Sequence, residues 1–227
     1  MELMDYLRAF KPSLSKRQFK HLINYVTGLI ASKRKTVRYI AKSCLDEGDQ
    51  SSLNRFLHSK AWRAKALNQV LLQQVWEELT PITGSTLFLI VDDTLLEKFG
   101  RHMELTGYLF SPKHGKHILC HDIVSSYMLT KDDEGYPVDL RLYVRKDTCL
   151  EVHRKFKTRI QLAVELIQTF HPPKGVNVVV LLDAWYLCRD VVDAVKRRGW
   201  HYIAEAKSNR VAYHDGRRTP LSELPQG

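Results

Sequence analysis

Two apolar runs in this 227-residue chain end in aspartate. The first is Thr86-Leu87-Phe88-Leu89-Ile90-Val91, followed by Asp92-Asp93-Thr94. The second covers residues 176–182 and is followed by Asp183-Ala184-Trp185-Tyr186. Short runs of this kind read as strands buried on both faces, so an acid at the carboxyl end is not core filling. In open α/β sheets, ligands sit beyond the carboxyl ends of parallel strands. If these two strands are parallel neighbours they lie about 4.8 Å apart, and their terminal carboxylates converge. Two such anions repel unless one takes a proton or a cation sits between them. Oxygen ligands of this type suit Mg²⁺ or Mn²⁺. With a third carboxylate the site can hold two metals and drive in-line attack on a phosphodiester. Other chemistries compete. Asp183 also suits a helix N-cap. A phosphoacceptor receiver gathers acids at strand ends, but it alternates strand and helix, whereas here three strands precede any helix. A haloacid-type phosphatase needs Asp-x-Asp, which adjacent Asp92-Asp93 does not supply.

The elements that must carry these acids follow from periodicity. After the 86–91 strand, residues 94–116 are polar and rich in Gly and Lys, a long loop or hairpin excursion. Residues 118–129 and 138–144 are two further strands, joined through Thr130-Lys131-Asp132-Asp133-Glu134-Gly135. Apolar positions from Phe156 to Phe170 predict a helix over 153–170, stopped by Pro172-Pro173. A strand over 176–182, a helix over 187–198 closed by Gly199, and a strand over 200–206 complete the order. Trp185 and Tyr186 read as core packing. His114, His117, Cys120 and His121 suggest zinc at first sight, but alternation puts His117 and His121 on one face and Cys120 on the other.

Before residue 80 the pattern is helical. Phe19, Leu22, Ile23, Val26, Leu29 and Ile30 recur at helical spacing, with Ser13 or Ser15 as cap. A second stripe runs through Val37, Ile40, Ala41 and Cys44. Asp46-Glu47-Gly48-Asp49 forms a turn, and Ser51 or Ser52 can cap a helix carrying Leu53, Phe56 and Leu57. Two short helices about a Gly-containing turn suit a helix-turn-helix, whose second helix presents Asn54, Arg55 and His58 to DNA. A plain helical bundle is the competing reading. A last helix spans roughly 61–79, and Thr80-Pro81-Ile82-Thr83-Gly84-Ser85 ends it.

Charge follows the same division. The chain carries a net +10, yet residues 1–75 hold 14 Lys and Arg against 5 Asp and Glu, a net of +9. That asymmetry points to an N-terminal module that meets a polyanion, although a basic surface also serves solubility. No apolar run approaches the roughly 18–20 residues of a membrane span. The first residues lack the basic-then-apolar pattern of a secretory signal. The four cysteines form no C-x-x-C, so a reducing cytosol is the expected compartment.

These residues carry a family resemblance. Residues 91–94 (Val-Asp-Asp-Thr), 182–186 (Leu-Asp-Ala-Trp-Tyr) and 202–210 (Tyr-Ile-Ala-Glu-Ala-Lys-Ser-Asn-Arg) resemble DDE transposases of bacterial insertion sequences. So does the stretch from Asn54 to Trp62. The similarity is to the cut-and-paste group with a β-rich insertion before the last catalytic helix. It implies an α/β, RNase H-like domain over 85–207, with a mixed five-stranded sheet (three antiparallel and two parallel strands) and flanking helices. It also implies an all-α DNA-binding domain over 1–82 and the start of an insertion over 208–227.

By the same resemblance Asp93 and Asp183 are the first two catalytic acids, with Asp92 as the fallback ligand and Mg²⁺ or Mn²⁺ as cofactor. Read from their place after the fifth strand, Lys207, Asn209 and Arg210 either touch DNA phosphates near the site or form a solvated basic turn. The partners are double-stranded transposon ends and target DNA, bound by a homodimer in a bacterial or archaeal cytoplasm close to the nucleoid. In the family reaction one strand is hydrolysed at the element end, and the freed 3′-hydroxyl attacks the opposite strand or the target. The third acid belongs to a Tyr-x-x-Arg-x-x-x-Glu-x-x-x-x-x-x-Lys pattern that this sequence lacks. Tyr213 is followed three positions later by Gly216, Glu205 falls in the fifth strand, and Glu223 falls in the insertion. The expectation is a truncated or decayed copy, or one whose remainder is encoded separately. A catalytically inactive remnant that only binds DNA is the alternative.

Overall fold

A computed structural model describes residues 2–46, 49–79, 84–100, 103–214 and 216–221. The expected boundary at 80–83, part of the 46–49 turn, and Glu223 lie outside the described residues. The chain divides into two compact units, Met1–Thr80 and Pro81–Gly227.

The first unit is helical: α1 (Leu3–Arg8), a 3₁₀ turn (Lys11–Ser13), α2 (Lys16–Ala31), α3 (Val37–Ser43), α4 (Gln50–Leu57) and α5 (Ala64–Glu78). Of the two candidate caps for α2, Ser15 is the one used. Its hydroxyl accepts from the Gln18 amide at 3.3 Å, and the Gln18 side chain accepts from the Ser15 amide at 2.8 Å. At α4 the cap is Asp49 rather than Ser51 or Ser52, its carboxylate accepting from the amides of both serines. A carboxylate at a helix N-terminus also meets the positive end of the helix dipole, which a hydroxyl does not. Ile40, Ala41 and Leu53 form the core here, with Tyr25, Leu29 and Val37 packed against them. The α2 stripe expected to be buried is only half-buried, and Ile30 is 64% exposed. The fully buried residues of α2 are Asn24, Thr27 and Gly28. Contact with α3 runs through Gly28, where backbones meet more closely than a large side chain would allow.

The second unit contains β1 (Thr86–Glu97), β2 (Gly107–Ser111), β3 (Lys116–Leu129), β4 (Gly135–Tyr143), α6 (Lys146–Glu151), α7 (Arg159–Thr169), β5 (Asn177–Leu182), α8 (Arg189–Arg197), β6 (His201–Ala204) and the hairpin β7 (Val211–His214)–β8 (Arg217–Pro220). The fold class is α/β with a mixed sheet, as the RNase H-like expectation required. β4, β3 and β1 are antiparallel, and β5 and β6 continue from β1 in parallel. The sheet has six strands rather than five. β3 is long enough to give its outer edge to β2 over residues 116–120 and to β4 over 122–129.

One face of the sheet is closed by α7, which packs on β1, β3 and β4, and by α8, which packs on α7 and β6. Alternation buries Leu87, Leu89 and Val91 of β1 with Val178, Val180 and Leu182 of β5 on that face. Helix α7 starts at 159, not 153. A Thr158–Gln161 capping box sets that start and makes Arg159 its first residue. A short α6 that periodicity did not predict precedes it. Among the described residues no helix is long and apolar enough to cross a membrane.

A methyl group at Gly28 would overlap the Ile40 carbonyl oxygen, and a backbone atom cannot swing aside. Gly28→Ala is therefore expected to destabilise the helical unit by about 1–3 kcal/mol, read as a lower urea midpoint for loss of helical circular dichroism.

Candidate active site

The site begins where one strand outlasts its neighbour. β1 and β5 pair in parallel up to Val91↔Leu182. There β5 leaves the sheet, while β1 continues against β3 as far as Glu97↔Cys120. Asp92 and Asp93 are thus not at the end of a strand, as the apolar run suggested. They lie in mid-strand, directly past the end of the parallel partner, and Asp183 is the first residue after that end.

Asp183 caps a tight turn and not helix α8, whose N-cap is Cys188. Its Oδ1 accepts hydrogen bonds from the amides of Trp185 and Tyr186, both at 2.9 Å. The same Tyr186, completely buried, donates its hydroxyl to Asp93 Oδ1 at 2.8 Å. Burial first, and then the Asp93 charge, push the phenol far above its ordinary pKa. It stays protonated and remains a donor. One residue therefore fixes both aspartates, Asp183 through its amide and Asp93 through its hydroxyl. Core packing, the expected role of Trp185 and Tyr186, holds for Tyr186 but is only half of what it does, and it fails for Trp185, which is 49% exposed.

Asp92 and Asp93 face opposite sides of the sheet. Asp92 Oδ1 accepts from the Asp93 amide at 2.7 Å. Its proton affinity is raised by burial, and the like charges of Asp93 and Asp183 add to this against the pull of that amide. Among the described residues neither Asp92 nor Asp183 has an ion-pair partner.

On the helix-covered side stand two residues that motif reading missed. Asp122 of β3 is 1% exposed, and Arg159 reaches it from the first turn of α7. Arg159 Nε donates to Asp122 Oδ2 at 2.6 Å, and Nη2 contacts the same oxygen. Arg159 Nε is 3.9 Å from Asp93 Oδ2. Its guanidinium lies over the Tyr143 ring at 4.5 Å and 6.0 Å from the Trp185 ring. Burial pushes Asp122 upward and Arg159 pulls it back. Asp122 Oδ1 is buried with no hydrogen-bond partner among the described residues. A signal was present in the sequence. Ile118, Cys120, Asp122, Val124, Ser126 and Met128 occupy one alternating register of β3, all buried, and Asp122 is its one charged member.

The remaining candidates are scattered. Arg210 donates to the Leu187 carbonyl at 2.6 Å, tying the segment after β6 to the Asp183 turn; Lys207 is exposed on that segment. Arg55 is exposed on α4, while Asn54 is half-buried there. His58 lies one residue past the helix, its Nδ1 2.8 Å from the Asn54 carbonyl oxygen. Arg55 also lines a cleft of about 480 Å³ with Arg17, His21 and Ser52. His117 and His121 share the β3 face opposite buried Cys120, and His114 turns to Ser111. Among the described residues no group of three or more His, Cys, Asp or Glu is arranged to hold a metal.

A family model described as a DDE superfamily endonuclease matches residues 9–227. No curated protein matches the sequence. Among solved structures, the chain is similar to one in the Mos1 transposase paired-end complex with left transposon end, at 14% identity and TM-score 0.28, over 85% of this chain and 60% of that one. It is also similar to one in the Drosophila P element transposase strand transfer complex, at 10% identity and TM-score 0.25, over 96% of this chain and 54% of that one. The chain spans less than two thirds of the length of either.

The raised proton affinity of Asp92 makes its ionisation a cost to folding. That cost is present above its folded pKa and absent below about 3.8, the ordinary carboxylate value, where both states are protonated. Asp92→Asn is expected to stabilise the chain at pH 7 by a few tenths of a kcal/mol, solvent screening keeping the gain small. The advantage should vanish in urea titrations run below about pH 3.8.

Proposed function

The chain belongs to the DDE superfamily endonucleases, and from that membership we propose that it is a DNA transposase whose cation site is built on Asp93 and Asp183, with Asp92 beside them. The observation that carries the reading is the Tyr186 clamp. Two carboxylates from neighbouring strands are held by one buried residue, each through a single oxygen. Ligating carboxylates are oriented by hydrogen bonds in this way. The donor set fits a hard divalent cation such as Mg²⁺ or Mn²⁺. Like charges already crowd Asp92, and a cation relieves that repulsion. When bound, such an ion supplies Lewis-acid stabilisation to a phosphodiester under attack.

The chain's own residues do the rest. Asp93 and Asp183 hold the ion, Tyr186 keeps both carboxylates in one orientation, and Asp92 adds negative potential. Lys207 and Arg210 flank the Asp183 turn with positive charge for DNA. The basic helical unit, with 14 Lys and Arg against 7 Asp and Glu over residues 1–80, binds double-stranded DNA through α3 and α4, with Arg55, Asn54 and His58 nearest the duplex. Two copies acting on paired element ends complete the reading.

A second reading follows from the absence of a three-acid group among the described residues. Two acids hold a cation more weakly than three. On this reading the 227-residue chain by itself binds DNA and nicks it feebly, acting as a DNA-binding protein.

Both readings are tested with a labelled duplex carrying the element end. Asp93→Ala and Asp183→Ala are expected to lower Mg²⁺-dependent nicking by more than about a hundredfold while leaving duplex affinity within about twofold. Unchanged nicking in either variant removes the site assignment. Binding without nicking by the unaltered chain selects the second reading. Separately, Arg55→Ala should weaken binding to all sequences alike and reduce the slope of log K against log salt by about 0.9, measured by fluorescence anisotropy.

A further inference from the structure

Asp122 has no part in the cation site just proposed, yet it is a fully buried carboxylate one strand away from Asp93, on the same face of the sheet. A buried ion pair is poor evidence for stability, because desolvation of both charges offsets their attraction. The geometry of this pair suggests another use. Arg159 stands between two acids, Asp122 and Asp93, and it is committed to one of them. Two of its nitrogens converge on Asp122 Oδ2, while the nearest Asp93 contact is a loose 3.9 Å. The Tyr143 ring beneath the guanidinium and the capping box at the start of α7 hold it there.

We propose that Asp122 is a positioning residue: it keeps Arg159 off Asp93, so that Asp93 retains its negative charge for a divalent cation. Without the Asp122 charge, the closest anion to Arg159 is Asp93. A full ion pair there would neutralise a proposed ligand and occupy the oxygen that Tyr186 leaves open. The inference rests on the reading of Asp93 and Asp183 as the cation site.

The test titrates Mn²⁺ into the full chain by calorimetry, with the bound ion followed independently by electron paramagnetic resonance. Asp122→Asn is expected to weaken Mn²⁺ binding about tenfold. Adding Arg159→Gln to it should restore the affinity to within about twofold of the unaltered chain, because the intruding cation is gone. A merely structural pair would not give this rescue. Wild-type affinity in Asp122→Asn, or a double variant as weak as the single one, overturns the proposal. If Asp122→Asn does not fold, the double variant decides alone. Affinity equal to or tighter than the unaltered chain supports the proposal, and a tenfold loss refutes it. Asp183→Asn serves as the control. If Mn²⁺ binding ignores Asp183→Asn, the cation-site reading fails and takes this inference with it. If binding responds to Asp183→Asn but not to Asp122→Asn, only the inference fails.

Discussion

Past Val91 the central strand loses its parallel neighbour and keeps its antiparallel one, and the geometry of the site descends from that step. Backbone groups of β1 beyond this point are satisfied by β3 alone, so the strand stays straight while β5 is free to turn. The turn brings Asp183 opposite the Asp92–Asp93 pair and sends Tyr186 into the core beneath them. Had both strands ended together, the acids would sit on two loops, each free to move. Here Asp92 and Asp93 are fixed by a ladder of hydrogen bonds, and Asp183 is fixed by two amides. Carboxylates placed on regular elements are held more exactly than carboxylates on loops, and the like charges of Asp93 and Asp183 raise the proton affinity of Asp92.

That fixed repulsion explains why the site is asymmetric. Asp93 is relieved by a hydroxyl and a distant guanidinium, Asp183 by two amides, and Asp92 by one amide against burial and two like charges. Amides and a phenol stabilise an anion without cancelling its charge. Only Arg159 could cancel it, and Arg159 is spent on Asp122. The arrangement therefore keeps negative charge on these aspartates while avoiding an unpaired buried charge at Asp122.

Periodicity was enough to find five of the six strands of this sheet and their order, because apolar runs and alternation report burial directly; it read β2 as part of a loop or hairpin excursion and missed α6. It placed the end of β1 six residues too early. A continuous apolar run marks only the part of a strand covered on both faces, whereas Asp92 to Glu97 are held by antiparallel pairing with β3 and their polar residues interrupt that run. The same limit hid Asp122 and Arg159. Their partnership joins residues 37 positions apart, and nothing local in either segment names the other. Asp122 is conspicuous only once the β3 register is known. The capping error at α4 was of a different kind: Ser51 or Ser52 was expected as the cap and Asp49 was assigned to the turn, yet the carboxylate took the position, accepting from the amides of both serines.

The charge distribution links the two units without requiring any contact between them. DNA is a dense polyanion, and the aspartates of the proposed site repel it. The second unit carries 21 Lys and Arg against 18 Asp and Glu over residues 81–227, a net of only +3 in 147 residues. The surplus of basic residues before residue 76 supplies attraction that does not depend on the acids or on any cation between them. On the proposed function, duplex affinity and phosphodiester chemistry would rest on separate charges: removing an aspartate would cost the chemistry and ease the approach of DNA. Removing a helical arginine would do the reverse. The electrostatics that gather DNA would, on that reading, owe nothing to the residues that would cut it, so either property could be removed without the other.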